Sequence, residues 1–111
     1  EKYPNSTFSR QITAGSQKMT KDREIEAHNF YAEAYKTFDS KNYNKALKDL
    51  EFGLTEYIGS SIEDKMAMLR LLTLSKTNQK EVYLIGINDF LRSYPTSDLT
   101  PAVKQMMEKL K

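Results

Sequence analysis

Apolar side chains recur every three or four residues along most of the chain, which is the spacing of one face of an α-helix. Proline and glycine are scarce and fall mostly between these stretches, where helices tend to end. No stretch alternates apolar and polar residues as a half-buried strand does. The pattern therefore predicts an all-α fold of stacked antiparallel helical hairpins, with five to six helices.

A weak first helix is predicted from Ser6 to about Ala14, and a longer second helix begins near Thr20, a favourable N-cap residue. The second helix should bury Ala27, Phe30, Tyr31, Ala34, Tyr35 and Phe38. A short polar turn from Asp39 to Asn42 follows, so the second and third helices should be antiparallel neighbours. The third helix presents Tyr43, Ala46, Leu47, Leu50, Gly53, Leu54 and Tyr57. We expect Ala46 and Gly53 to lie where helices cross closely.

The fourth helix, from about Ser61 to Lys76, is apolar on several sides and should be the centre of the fold. Its main stripe is Ile62, Met66, Leu69 and Leu72, with Met68, Leu71 and Leu74 on other faces. The fifth helix should use Val82, Ile85, Phe90, Leu91 and Tyr94. The last starts near Ser97 or Thr100 and should use Ala102, Val103, Met106 and Leu110. We expect the most buried side chains to include Leu50, Leu69, Leu72 and Phe90.

The composition, with 39% hydrophobic and 29% charged residues, is typical of one soluble globular domain. Basic and acidic residues are interleaved, and the net charge is only +2, so we expect no nucleic-acid partner. The chain has no cysteine, one histidine (His28, expected on a partly exposed helix surface) and no glycine-rich phosphate loop. We therefore predict no catalytic residue, metal, cofactor or small-molecule substrate. No apolar run is long enough to span a bilayer.

Tyrosine is the most informative residue type, because the chain has seven tyrosines and no tryptophan. A ring with a hydroxyl group suits half-buried protein interfaces. Tyr31, Tyr35 and Tyr83 are the candidate protein-binding residues, and ordinary packing between helices is an equally good interpretation of them. The methionines Met66, Met68, Met106 and Met107 are more typical of a core than of an adaptable binding surface.

Three segments resemble one another. The segment from Tyr3 to Phe8 matches that from Tyr94 to Leu99 as Tyr-Pro, polar, Ser, polar, apolar, and the segment from Tyr57 to Ile62 follows the same scheme without the proline. Tyr57 and Tyr94 are 37 residues apart, close to the 34 residues of a tetratricopeptide repeat. The stretch from Asn42 to Leu47, followed by Leu50, Gly53 and Leu54, resembles the second helix of that repeat.

The match to the first helix of the repeat is weaker, because Glu33 and Thr37 stand where apolar residues are usual. The order of these motifs resembles the C-terminal region of the tetratricopeptide-repeat lipoproteins of Bacteroidetes gliding motility and type IX secretion. Outer-membrane assembly lipoproteins built of similar repeats share the Tyr-Pro-x-Ser turns and are the alternative. The resemblance implies a periplasmic, outer-membrane-associated location and partners within a cell-envelope protein complex. It also implies membrane attachment only through an upstream lipid anchor.

Two functions fit this chain. Residues 20–111 are expected to form a tetratricopeptide-like domain, and residues 1–19 a linker or the end of a preceding repeat that is the least stable part. The first function is a non-catalytic protein-interaction scaffold, and the second is a structural terminal cap of a longer repeat array. An exposed, tyrosine-lined apolar patch would favour binding, and a polar outer face on the last helix would favour the cap.

Overall fold

The computed structural model describes residues 20–110, which form five α-helices and contain no strand. They are α1 (Lys21–Asp39), α2 (Tyr43–Glu56), α3 (Glu63–Ser75), α4 (Lys80–Ser93) and α5 (Thr100–Lys109). Each helix packs against the next one along the chain, and α1 also contacts α3. The predicted all-α stack of helical hairpins is therefore confirmed. The predicted helix from Ser6 to Ala14 and the predicted segment 1–19 lie outside the described residues.

Local signals set the two ends of α1. The Thr20 hydroxyl accepts a hydrogen bond from the Arg23 backbone N–H at 3.1 Å, so Thr20 is the predicted N-cap. After Asp39 the chain turns through Lys41, which has a left-handed φ of 68°. The N–H groups of Lys41 and Asn42 donate to the carbonyls of Phe38 and Thr37, the pattern of a Schellman motif. This turn folds α2 back against α1.

The helices follow a period of 37 residues. The helices α2 and α4 have 14 residues each and begin at Tyr43 and Lys80, and α3 and α5 begin at Glu63 and Thr100. Residues 26–38 of α1 occupy the same places in this period as residues 63–75 of α3. Residues 20–110 therefore contain two equivalent hairpins, α1–α2 and α3–α4, followed by the helix α5.

Two apolar clusters make up the core. The first fills the space among α1, α2 and α3 and contains Ala27, Ala34, Leu50, Tyr57, Ile62, Met66 and Leu69. The second joins α2 to α5 through Leu47, Leu71, Leu74, Ile87, Phe90 and Val103. Because α3 contributes to both clusters, it is the central helix, as the sequence predicted. Leu50, Leu69 and Phe90 are buried as expected.

Several expectations about which face is buried are wrong. Leu72 is only half-buried, whereas Leu71 and Leu74, which were predicted on other faces, are buried together with Leu69. In α4, Val82 and Ile85 are 38% and 61% exposed, whereas Ile87 is fully buried. Five of the six residues from Val82 to Ile87 are apolar, so the periodicity does not reveal which side packs inward. Tyr35 and Ala102 were also predicted to be buried, and both are exposed.

The predicted close crossing at Gly53 is confirmed. A Cβ atom placed on Gly53 would lie 2.5 Å from Cε2 of Phe30 and 3.1 Å from the Met66 sulfur. Ala46, the other residue expected at a crossing, has no exposed surface. Small residues on α2 therefore allow α1 and α3 to approach it closely.

Candidate protein-binding face

Two sides of the central helix α3 pack against other helices, and the side between them is partly accessible to solvent. Met66 and Leu69 belong to the first core cluster, and Leu71 and Leu74 belong to the second. Leu72 lies between these two sides and is half-buried, and Met68, one helical turn earlier, is half-buried against the second core cluster. The side of α3 that carries these two residues is therefore apolar.

The helix α1 places two tyrosines at the equivalent positions. Tyr31 and Tyr35 precede Met68 and Leu72 by 37 residues, and α1 contacts α3. Tyr31 packs against the first core cluster, whereas Tyr35 is 46% exposed. We refer to these four side chains, two from each helix, as the α1–α3 face.

Aromatic rings continue along α1 from this face. The ring centres of Tyr31 and Tyr35 are 6.2 Å apart, and those of Tyr35 and Phe38 are 6.0 Å apart. The Phe38 ring in turn lies 5.7 Å from that of Tyr43 at the start of α2. Burial raises the pKa of Tyr31, and the neighbouring Tyr35 adds to that effect, so its hydroxyl is neutral at physiological pH. The rings are tilted against one another, and the row offers an apolar surface edged with hydroxyl groups.

Basic side chains flank the α1–α3 face. Lys65 and Lys76 lie on the same side of α3 as Leu72 and are exposed, and neither forms an ion pair within residues 20–110. His28 lies one turn before Tyr31 on α1, where its side chain is 54% exposed, as predicted for a surface histidine. His28 lies 3.9 Å from a carboxylate oxygen of Glu24, whereas Lys65 and Lys76 can form new ion pairs without first breaking an internal one.

Carboxylates near the start of each hairpin accept hydrogen bonds from the turn that follows that hairpin. We call these contacts clamps. Both carboxylate oxygens of Glu24 on α1 accept hydrogen bonds from Ser61, one from its N–H and one from its hydroxyl, each at 2.6 Å. On α3, Glu63 accepts a hydrogen bond from the Tyr94 hydroxyl at 2.5 Å and Asp64 accepts one from the Ser97 hydroxyl at 2.6 Å. These clamps fix the relative positions of successive hairpins and therefore the spacing of α1 and α3.

The structure brings together two of the three candidate tyrosines. Tyr31 and Tyr35 share the α1–α3 face, whereas Tyr83 lies on α4, where it packs against the second core cluster and burial raises its pKa. Its equivalent in the first hairpin, 37 residues earlier, is the fully buried Ala46. Sequence reasoning missed Met68 and Leu72 as members of the face. Applying the 37-residue period to Tyr31 and Tyr35 would have found both.

The described residues offer no group of three or more His, Asp or Glu side chains that could hold a metal ion. Among the same residues, no helix is both long enough and apolar enough to cross a membrane. No protein-family model matches the chain, and no curated protein or solved structure matches it either.

Proposed function

We propose that the helical domain is a non-catalytic protein-binding scaffold module whose partner contacts the α1–α3 face. The observation that carries this proposal is the exposure of Tyr35, 46% of whose surface remains accessible beside Tyr31 on α1. Tyrosine and methionine are enriched at the centres of protein interfaces. A surface of this kind fits a partner segment with apolar side chains.

The proposed setting is a cell-envelope complex for type IX secretion or gliding motility. It is supported by the resemblance of the Tyr-Pro-x-Ser turns and of the second-helix pattern to those lipoproteins. Fractionation of cells that produce the native protein tests the setting. We expect the protein in the outer-membrane fraction, and a purely cytosolic distribution would contradict this proposal without affecting the binding face.

Site-specific crosslinking tests the binding face. A photoreactive phenylalanine analogue would be placed at Tyr35 or at Leu72 in the native protein inside cells. We expect both positions to give the same discrete adduct, which mass spectrometry can identify. Ile85 is the control position, because it is 61% exposed but lies on α4. Adducts from Ile85 alone, or none from Tyr35 and Leu72, would contradict the proposed face.

The second candidate function, a terminal cap, is favoured by the outer surface of α5. Lys104, Gln105 and Glu108 stand where α3 has Ala67, Met68 and Leu71. Val103 is buried, and Met106 and Leu110 are partly buried, so the opposite side of α5 is the one that packs against the second hairpin. A helix that is apolar on one side and polar on the other ends a stack. The two functions are compatible, because the cap and the α1–α3 face use different surfaces.

A further inference from the structure

A pocket of about 190 Å³ opens at Ala67, between α2 and α4, and the rest of the fold leaves it unfilled. Leu54, Ala67, Leu71 and Phe90 form its apolar walls, and Arg70 and Asp89 lie at its edge. Ala67 and Leu72 are five positions apart, which at about 100° per residue places them about 140° apart around the axis of α3, so the pocket opens away from the side of Leu72. It is therefore a second surface, independent of the proposed binding face.

The 37-residue period shows what fills the equivalent place in the first hairpin. Ala67 corresponds to Phe30, whose ring lies 5.8 Å from the ring of Phe52 and 5.5 Å from that of Tyr57. The same ring lies directly over Gly53. The three residues that surround it have their counterparts, 37 residues later, in Asp89, Phe90 and Tyr94, and all three line the pocket. The pocket is therefore the place that a phenyl ring occupies in the first hairpin.

Two further substitutions between the hairpins change the walls of this place. Phe90 replaces Gly53 and supplies a ring from the α4 side, where it lies 4.9 Å from the ring of Tyr94. Asp49 of the first hairpin becomes Gly86, which has no side chain to extend into the remaining space. A Cβ atom on Gly86 would lie 2.8 Å from Cδ2 of Leu71 and 3.3 Å from Nη1 of Arg70. Glycine thus keeps this wall of the pocket thin.

Size and chemistry both favour an aromatic occupant. An apolar cavity of about 150 Å³ is large enough to bind benzene. The Arg70 guanidinium lies along the pocket and is held only by a long contact of 3.4 Å to Glu51. A guanidinium plane stacks well on an aromatic ring. The first hairpin shows the same preference, because Arg23 lies 4.8 Å from the ring centre of Tyr57.

We propose that the Ala67 pocket is a docking site for one aromatic side chain of a partner polypeptide. The ring enters between α2 and α4, packs against Ala67 and Phe90, and stacks against Arg70. In this position the partner supplies a second ring beside that of Phe90, at the place left by the small side chain of Ala67. The site goes beyond the proposed function, since it uses another surface and requires a particular residue type of the partner.

NMR titration with N-acetyl-phenylalanine amide tests the pocket in the protein itself. We expect saturable chemical-shift changes centred on Gly86 and Phe90, with a dissociation constant of about a millimolar for a ligand of this size. N-acetyl-alanine amide should produce no such changes, and N-acetyl-leucine amide should bind at least threefold more weakly. Equal binding of all three probes, or shifts elsewhere only, would overturn the proposal.

Ala67→Phe supplies the ring from within the chain. We expect this variant to weaken probe binding at least tenfold and to raise the thermal midpoint, because the ring fills existing space. Ala32→Phe, which adds the same ring on the exposed side of α1, is the matched control and should bind as the parent chain does. A folded Ala67→Phe variant with unchanged binding would overturn the assignment. If this variant does not fold, the probe series on the parent chain still decides.

Discussion

At the scale of single residues, the repeat explains why the buried hydroxyl of Ser60 finds no hydrogen-bond acceptor among the described residues. The hydroxyl of Ser60 is buried and has no hydrogen-bond partner within residues 20–110. Its equivalent, Ser97, donates to Asp64 at 2.6 Å. The position equivalent to Asp64 in the first hairpin is Ala27, which offers no acceptor. The two serines have equivalent places in the fold, but of the two only Ser97 has an acceptor among the described residues, so we expect them to affect stability in opposite directions.

We expect Ser60→Ala to raise the free energy of unfolding by about 1 kcal/mol, because it removes a buried hydroxyl without a partner. Ser97→Ala should lower it by about 1.5–3 kcal/mol, because it removes a hydrogen bond to a charged carboxylate. Chemical denaturation followed by circular dichroism measures both. A loss of stability in Ser60→Ala would show that this hydroxyl has a partner in solution.

The contact between Gly53 and Phe30 gives a second test at this scale. Gly53→Ala gains helix propensity, worth about 0.5–1 kcal/mol, but its Cβ would lie 2.5 Å from the ring of Phe30. We expect the clash to dominate and to lower stability by about 1–3 kcal/mol. In a Phe30→Ala background the clash with the ring is absent and only the flexible Met66 side chain, with its sulfur at 3.1 Å, stays close, so the same change should cost much less or be stabilising. Equal effects of Gly53→Ala in both backgrounds would show that the two residues are not in close contact.

At the scale of helices and turns, the sequence predicted which helices form, and in what order, better than it predicted which side of each helix is buried. The bounds of α1 follow from Thr20 and the turn after Asp39, which are local signals. The inward side of α4 depends on tertiary contacts, because Ile85 and Ile87 are equally apolar and only their surroundings separate them. Only two of the four residues of the α1–α3 face were predicted as binding residues, for the same reason. Tyr31 and Tyr35 were identified by residue type, but their exposure depends on what packs beside α1.

The clamp between α1 and the α2–α3 turn should be visible in a titration. The two hydrogen bonds from Ser61 hold the pKa of Glu24 below its ordinary value of 4.5. Because the folded-state pKa is the lower one, the stability from this carboxylate is fully present above pH 4.5 and is lost as the pH falls through the folded-state pKa.

We expect Ser61→Ala to raise the pKa of Glu24 toward 4.5, because the larger of the two contributions comes from the Ser61 hydroxyl. Carbon-13 NMR of the Glu24 carboxyl group measures the change. Ser75→Ala, which removes an exposed hydroxyl on α3, is the control and should leave this pKa unaltered. An unchanged pKa in Ser61→Ala would mean that the clamp does not persist in solution.

At the scale of the whole molecule, the two ends of the stack differ. The positions through which α3 and α5 pack on the preceding hairpin include Met66, Leu69, Val103 and Met106, whose counterparts on α1 are exposed. At the other end, α5 turns a polar side outward. Within residues 20–110, the outer side of α5 is therefore polar, and the α1 positions that would contact a preceding hairpin are exposed.

Replacing three polar residues of α5 by their counterparts on α3 should allow another molecule to pack on the outer side of α5. The triple change Lys104→Ala, Gln105→Met and Glu108→Leu makes the outer side of α5 apolar. We expect concentration-dependent self-association in sedimentation experiments, with unchanged helix content, because a large exposed apolar patch promotes association. A control that keeps the surface polar, Lys104→Glu with Gln105→Lys, should sediment as the parent chain does. Identical sedimentation of the apolar variant would show that α5 does not act as a cap.

The packing of each helix on its neighbour along the chain also has a kinetic consequence. Native contacts of this kind join residues that are close in sequence, so folding need not wait for distant segments to find one another. Chains with such low contact order fold within about microseconds to milliseconds. Because each hairpin consists mainly of local contacts, we expect folding to start at either hairpin and to proceed along the chain.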